Sequence, residues 1–139
     1  MRCVIPVVVY EDIAAAYDYL IRVFGFAAGR VDRDAEGRAF HAELQAGHGV
    51  VYLHRVASEF GIASPAAVGV DTAGVDVIVD DVEAHYARAR AAGATIVYEP
   101  ADMPYNVREY GARDPEGRLW SFMAPLADSL TTQCSSAQK

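Results

Sequence analysis

The chain repeats itself, and the repeat limits the folds open to it. VIPVVVYEDIAAAYDYLIRVFGF (residues 4–26) and GVDVIVDDVEAHYARARAAGA (residues 74–94) share one plan: a β-branched run, two acids, a helical stretch and a glycine. Glu11 and Asp12 align with Asp80 and Asp81, Ile13 with Val82, and Tyr17 with Tyr86. Asp12 and Asp81 suit helix N-caps, where a carboxylate accepts orphan N–H bonds and meets the positive end of the dipole. Ile13, Tyr17, Leu20, Ile21 and Phe24 fall on one stripe at helical spacing. Gly25 and Gly93 read as helix-stopping residues.

Strand patterns follow each helix. The first half has AGRVDR, RAFHAELQA and VVYLHR; the second has TIVYEP, NVREYGARD and RLWSFMAP. DAEG, AGHG and DPEG supply turns. The pattern predicts an α+β fold of two βαβββ modules, at residues 2–54 and 74–125. Residues 55–73 read as a small-residue linker, and residues 127–139 as a polar tail following a single domain over 2–126. One helix covers only one face of its sheet. Two such units curling their mixed sheets around a shared concave face leave a cavity lined by alternate strand residues.

Alternation chooses the faces. In RLWSFMAP, Trp120 and Phe122 belong under a helix, so Leu119, Ser121 and Met123 take the concave side. In VVYLHR, Val51 and Leu53 fit the helix side and Tyr52 and His54 point inward. In AFHAELQA, Phe40, Ala42 and Leu44 fit the helix side, leaving His41, Glu43 and Gln45 inward. With AGHG as the hairpin loop, His41 lies opposite His54 and Glu43 opposite Tyr52.

The 139 residues, 53% hydrophobic, can fill a real core, which argues against wholesale disorder. A net charge of -7 disfavours nucleic acid, whose phosphates need clustered Lys and Arg. Cys3 and Cys134 show no metal-type spacing and read as two reduced thiols. The apolar run VIPVVVY is too short for a signal peptide or a membrane span. A cytoplasmic protein with no membrane partner is expected.

The duplicated βαβββ pattern, FGF after the first helix, AAGA after the second and DPEG before the last strand resemble the vicinal oxygen chelate superfamily. That group includes glyoxalase I, extradiol dioxygenases and drug-binding proteins of the bleomycin-resistance type. The resemblance spans residues 2–125 and implies a homodimer, as do the free strand edges of a four-stranded module. Metal-dependent members carry His or Glu ligands on the first and last strands of each module. The matching positions here are Ile5, Tyr52 (Val51 if the hairpin slips), Gly74 and Ser121. None suits divalent iron, zinc or nickel, so no metal or other cofactor is expected.

His41, Glu43 and His54 could form an off-pattern metal site; their plainer reading is a polar wall. His85, aligned with Ala16 in the repeat, reads as solvent-exposed, and His48 as part of a hairpin loop. YEPADMPYNVREYGARD brings Tyr98, Met103, Tyr105, Arg108, Glu109 and Tyr110 together. Aromatics and a Met beside one Arg suit a flat, partly apolar ligand. No G-x-S-x-G or Gly-rich phosphate loop is present. The favoured function is metal-free binding or carriage of a planar, antibiotic-like or aromatic molecule through His41, Glu43, Tyr52, His54, Met103, Tyr105, Arg108 and Ser121. The alternative is a lyase, isomerase or dioxygenase-type enzyme using the same cavity.

Overall fold

The computed structural model describes residues 2–126, so the expected tail at 127–139, with Cys134, lies outside the described residues. The first module contains β1 (Val7–Tyr10), α1 (Ile13–Phe24), β2 (Ala27–Arg33), β3 (Ala39–Ala46) and β4 (Gly49–Arg55). After α2 (Pro65–Val68), the second contains β5 (Val75–Ile78), α3 (Val82–Ala91), β6 (Thr95–Met103), β7 (Val107–Arg113) and β8 (Leu119–Pro125). The sheets run β1-β4-β3-β2 and β5-β8-β7-β6, the same mixed topology twice. The fold is therefore α+β with two tandem βαβββ modules. Register shifts between β2 and β3 and between β6 and β7 help to curve the sheets.

The local signals act as their chemistry dictates. Asp12 accepts from the Ala15 N–H at 3.0 Å and Asp81 from the Ala84 N–H at 2.9 Å. Gly25 closes α1 in the left-handed region, φ 78°. DAEG and DPEG build one turn twice: Asp34 accepts the backbone N–H groups of Glu36 and Arg38, and Asp114 those of Glu116 and Arg118. Residues 55–73 are a docked strap more than a linker. Ser64, fully buried, caps α2 and donates to Glu11 Oε1 at 2.8 Å.

The helix-covered faces of both sheets close on one another. Ala42, Leu44, Val51 and Leu53 from the first sheet share a core with Tyr110, Ala112, Trp120 and Phe122 from the second, with α1 and α3 between them. Phe24 of α1 reaches across to Phe122, with ring centroids 4.9 Å apart, and Phe26 meets Trp120 edge-on at 5.3 Å. This corrects the reading of His85 as solvent-exposed. Its ring is half-buried against Phe122, with Nε2 2.9 Å from the Phe24 carbonyl and Nδ1 2.8 Å from the Tyr110 hydroxyl. A carbonyl only accepts, so Nε2 carries the proton and Nδ1 accepts from Tyr110. Burial lowers the pKa of this imidazole, in keeping with that neutral tautomer. Its repeat partner Ala16 is itself buried in the core, so both positions face inward. Phe40, placed on the helix side by alternation, is 40% exposed and does not join the core.

A polar joint locks the modules at one end. Tyr10 donates to Asp114 Oδ2 at 2.5 Å, Trp120 Nε1 donates to the same oxygen at 3.0 Å, and Glu116 receives the backbone N–H groups of Glu11 and Asp12. Among the described residues, no helix is long and apolar enough to cross a membrane.

Alkaline pH is expected to weaken this core. Burial, reinforced by Asp114, raises the Tyr10 phenol well above its ordinary value, and burial raises Tyr110. The native state keeps both protonated while the unfolded chain ionises them near pH 10. Their stabilisation is complete below that pH and is lost as pH rises toward the folded values. The slope is roughly 1.4 kcal/mol per pH unit for each phenol. Urea titrations between pH 9 and 11.5 check this; a flat profile would mean that these phenols titrate normally.

Candidate functional site

The uncovered face of each sheet carries the polar groups. On the first, His41 pairs with His54 and Glu43 with Tyr52, in the register expected from the AGHG hairpin. His41 stacks edge-on against Tyr52, centroids 4.9 Å apart, and its Nε2 lies 3.5 Å from Glu43 Oε1. Arg30 of β2, which alternation did not single out, holds Glu43 at 3.1 Å. His54 turns Nδ1 to the Arg55 carbonyl, 2.8 Å away.

The second sheet's face centres on Glu109. Val107, Glu109 and Gly111 share it with Ser121 and Met123, their partners or neighbours on β8. Tyr98 folds over Gly111 and donates to Glu109 Oε1 at 2.5 Å, with its oxygen 3.1 Å from Ser121 Oγ. Tyr105, in the β6–β7 hairpin, donates to Glu109 Oε2 at 3.0 Å. Burial and the bond to Glu109 push the Tyr98 phenol up to about 12. Glu109 is only 4% exposed, whereas Tyr105 is 58% exposed. Met103 closes β6, paired with Val107.

Arg108 lies elsewhere. One step along β7 from Glu109, it takes the opposite parity and reaches α3. Its Nε bonds Glu83 at 2.5 Å and its Nη1 bonds Asp102 at 2.8 Å. The guanidinium expected beside Tyr105 is thus engaged by two carboxylates on the helix side. Nor does one chain bring the two polar groups together. No hydrogen bond, ion pair or ring contact joins His41, Glu43, Tyr52 and His54 to Tyr98, Glu109 and Ser121 among the described residues. The modules meet through their helix sides, so the two faces remain separate.

The donor set does not fit a metal. Ile5 and Gly74 precede their strands; the residue beside Tyr52 on β1 is Val7, and the one beside Ser121 on β5 is Asp76. Hydroxyls, an aliphatic side chain and one carboxylate make a poor cage for a transition metal. No group of three or more His, Cys, Asp or Glu residues is placed to hold an ion among the described residues.

Sequence reasoning named Tyr98 and Glu109 only as neighbours and passed over Asp76 and Gly111. Two signals were available: the parity of VREYG puts Glu109 and Gly111 on Ser121's face, and a mid-strand glycine marks a close approach.

Comparison with known proteins agrees with this architecture. The chain is similar to TioX from Micromonospora sp. ML1, at 38% identity and a TM-score of 0.73, covering 88% of this chain and 97% of that one. TnmS3, an antibiotic binding protein from Streptomyces sp. CB03234, shares the fold at 19% identity and a TM-score of 0.69, covering 90% and 98%. The uncharacterized protein Mb0911c of Mycobacterium bovis is 29% identical over 127 residues, 88% of this chain and 83% of that protein. The family model for the Glyoxalase/Bleomycin resistance protein/Dioxygenase superfamily matches residues 4–122, and the chain belongs to that superfamily.

Proposed function

We propose that this protein is a metal-independent binding protein of the cytoplasm. It captures a planar, largely apolar small molecule and works as a homodimer. The observation that carries this reading is the pair of separate, uncovered sheet faces. Each face has aromatic rings beside polar anchors, the composition of a small-molecule pocket. Each is also only half a cavity. In the dimer, the His41–Glu43–Tyr52–His54 face of one copy stands opposite the Tyr98–Tyr105–Glu109–Ser121 face of the other, with Met103 at the rim. Val7 and Ile78, on the outer faces of edge strands β1 and β5, are more than half exposed and give the second copy apolar surface to cover. TnmS3, which shares the fold, is an antibiotic binding protein, and this is in keeping with a small-molecule ligand.

Native mass spectrometry of the purified protein tests this. The expected species is a dimer that retains small organic molecules and carries no stoichiometric transition metal. One equivalent of zinc, iron or nickel, removed by a chelator with loss of ligand binding, would sink the metal-free reading. A monomer at micromolar concentration would sink the two-copy site.

A further inference from the structure

The unusual group in this molecule is Glu109. It is almost wholly buried, and the ion pairs of the described residues leave it out. Its neighbour Arg108, the nearest cation in sequence, points to the other side of the sheet. Buried carboxylates are ordinarily matched by a cation or a metal. Here each oxygen accepts one phenol hydrogen bond, from Tyr98 and from Tyr105, and no cation among the described residues pairs with it. Asp76, paired with Ser121 across β5 and β8, adds a second carboxylate to this sheet; burial and Glu109 raise the Tyr105 phenol, and Asp76 adds to that rise.

The two phenols are not equivalent. Tyr98 is fixed: its ring lies against the Gly111 backbone, and its hydroxyl touches both Glu109 and Ser121. Tyr105 is mostly exposed, sits in a hairpin, and covers Glu109 Oε2 through its hydroxyl.

We propose that Glu109 anchors a protonated amine carried by the planar ligand, with the Tyr105 hydroxyl giving way to it and the Tyr105 ring remaining as a stacking surface. This rests on the binding-protein reading above and narrows its ligand class to cations. The ligand's N–H⁺ replaces one phenol donor, so no hydrogen bond is lost. It also supplies the charge that the buried carboxylate lacks. A carboxylate-bearing ligand would meet Glu109 and Asp76 as like charges and be rejected.

The test uses two fluorescent probes with one ring system, 9-aminoacridine as the planar cation and acridine-9-carboxylate as the planar anion. Each is titrated into wild type, Glu109→Gln and Tyr105→Phe, with thermal melts confirming that the variants fold. Wild type is expected to bind the amine at least tenfold more tightly than the acid. Glu109→Gln is expected to lose about tenfold for the amine and nothing for the acid. Tyr105→Phe keeps the ring and removes the competing hydroxyl, so its amine affinity is expected to hold or rise by a few fold. If wild type binds the amine and Glu109→Gln binds it equally well, the anchor is elsewhere and this inference falls while the binding-protein reading stands. A tenfold loss in Tyr105→Phe would overturn the exchange of hydroxyl for amine. If neither probe binds wild type at millimolar concentration, the planar-ligand reading falls and takes the inference with it.

Discussion

Asp114→Ala is expected to cost about 3–5 kcal/mol, the effect of stripping several buried donors of their acceptor at once. In a domain of this size that lowers Tm by roughly 10–15 °C. Asp114 is 5% exposed and serves four donors: the Tyr10 hydroxyl, Trp120 Nε1 and the backbone N–H groups of Glu116 and Arg118. Two of these bonds shape the DPEG turn, and the Tyr10 bond joins the modules. Asp34 offers an internal control, since it builds the same turn with Glu36 and Arg38 at the surface. The Arg38 N–H holds the Asp34 carboxyl below the usual range, but no side chain from the other module depends on it. Asp34→Ala is therefore expected to cost far less. Equal shifts in the two melts would mean that the turn, and not the joint between modules, sets the stability.

The duplicated fold was readable because its signals are local and occur twice. Asp12 and Asp81 cap helices with the same atom geometry, and Gly25 stops a helix in the only backbone region that strongly favours glycine. The β3–β4 register was readable because AGHG fixes the hairpin and Ala42, Leu44, Val51 and Leu53 each need the same dry face. What sequence could not supply was the relation between modules. Nothing in α1 or α3 says that Phe24 will lie on Phe122, or that His85 will bridge a carbonyl and a phenol across that seam. Those contacts are nonlocal, and they turn the polar faces outward.

The site was half legible for a related reason. Side-chain parity placed Ser121, Tyr52 and His41 without any tertiary information. The same rule, applied to VREYGARD, separates Arg108 from Glu109. Arg108 found its carboxylates, Glu83 and Asp102, in α3 and β6. Glu109 drew little attention in the sequence because a Glu within a strand is ordinarily taken as solvated. Only the fold shows it covered by two tyrosines.

Gly111→Ala is expected to dismantle this arrangement with one methyl group. A Cβ at Gly111 would sit 2.2 Å from Tyr98 Cε1 and 2.5 Å from its Cζ, far inside contact distance. The strand does not need glycine for its own backbone angles, since Gly111 is not among the residues of positive φ. The nearest atoms to that Cβ all belong to the ring, so Tyr98 must move away. Overpacking of this kind costs roughly 1–3 kcal/mol. It also breaks the hydroxyl's contacts with Glu109 and Ser121. Expulsion has a spectroscopic signature: the Tyr98 phenol, held at about 12 in the fold, returns toward its ordinary value near 10. Ultraviolet titration of native protein reads this as one additional tyrosine ionising between pH 10 and 11. In a Tyr98→Ala background the same Gly111→Ala change fills the space the ring vacated, so its cost is expected to vanish. The double-mutant cycle then gives a coupling of about 1–3 kcal/mol. Additive costs across that cycle, with no change in the phenol titration, would show that Tyr98 does not rest on Gly111 in solution.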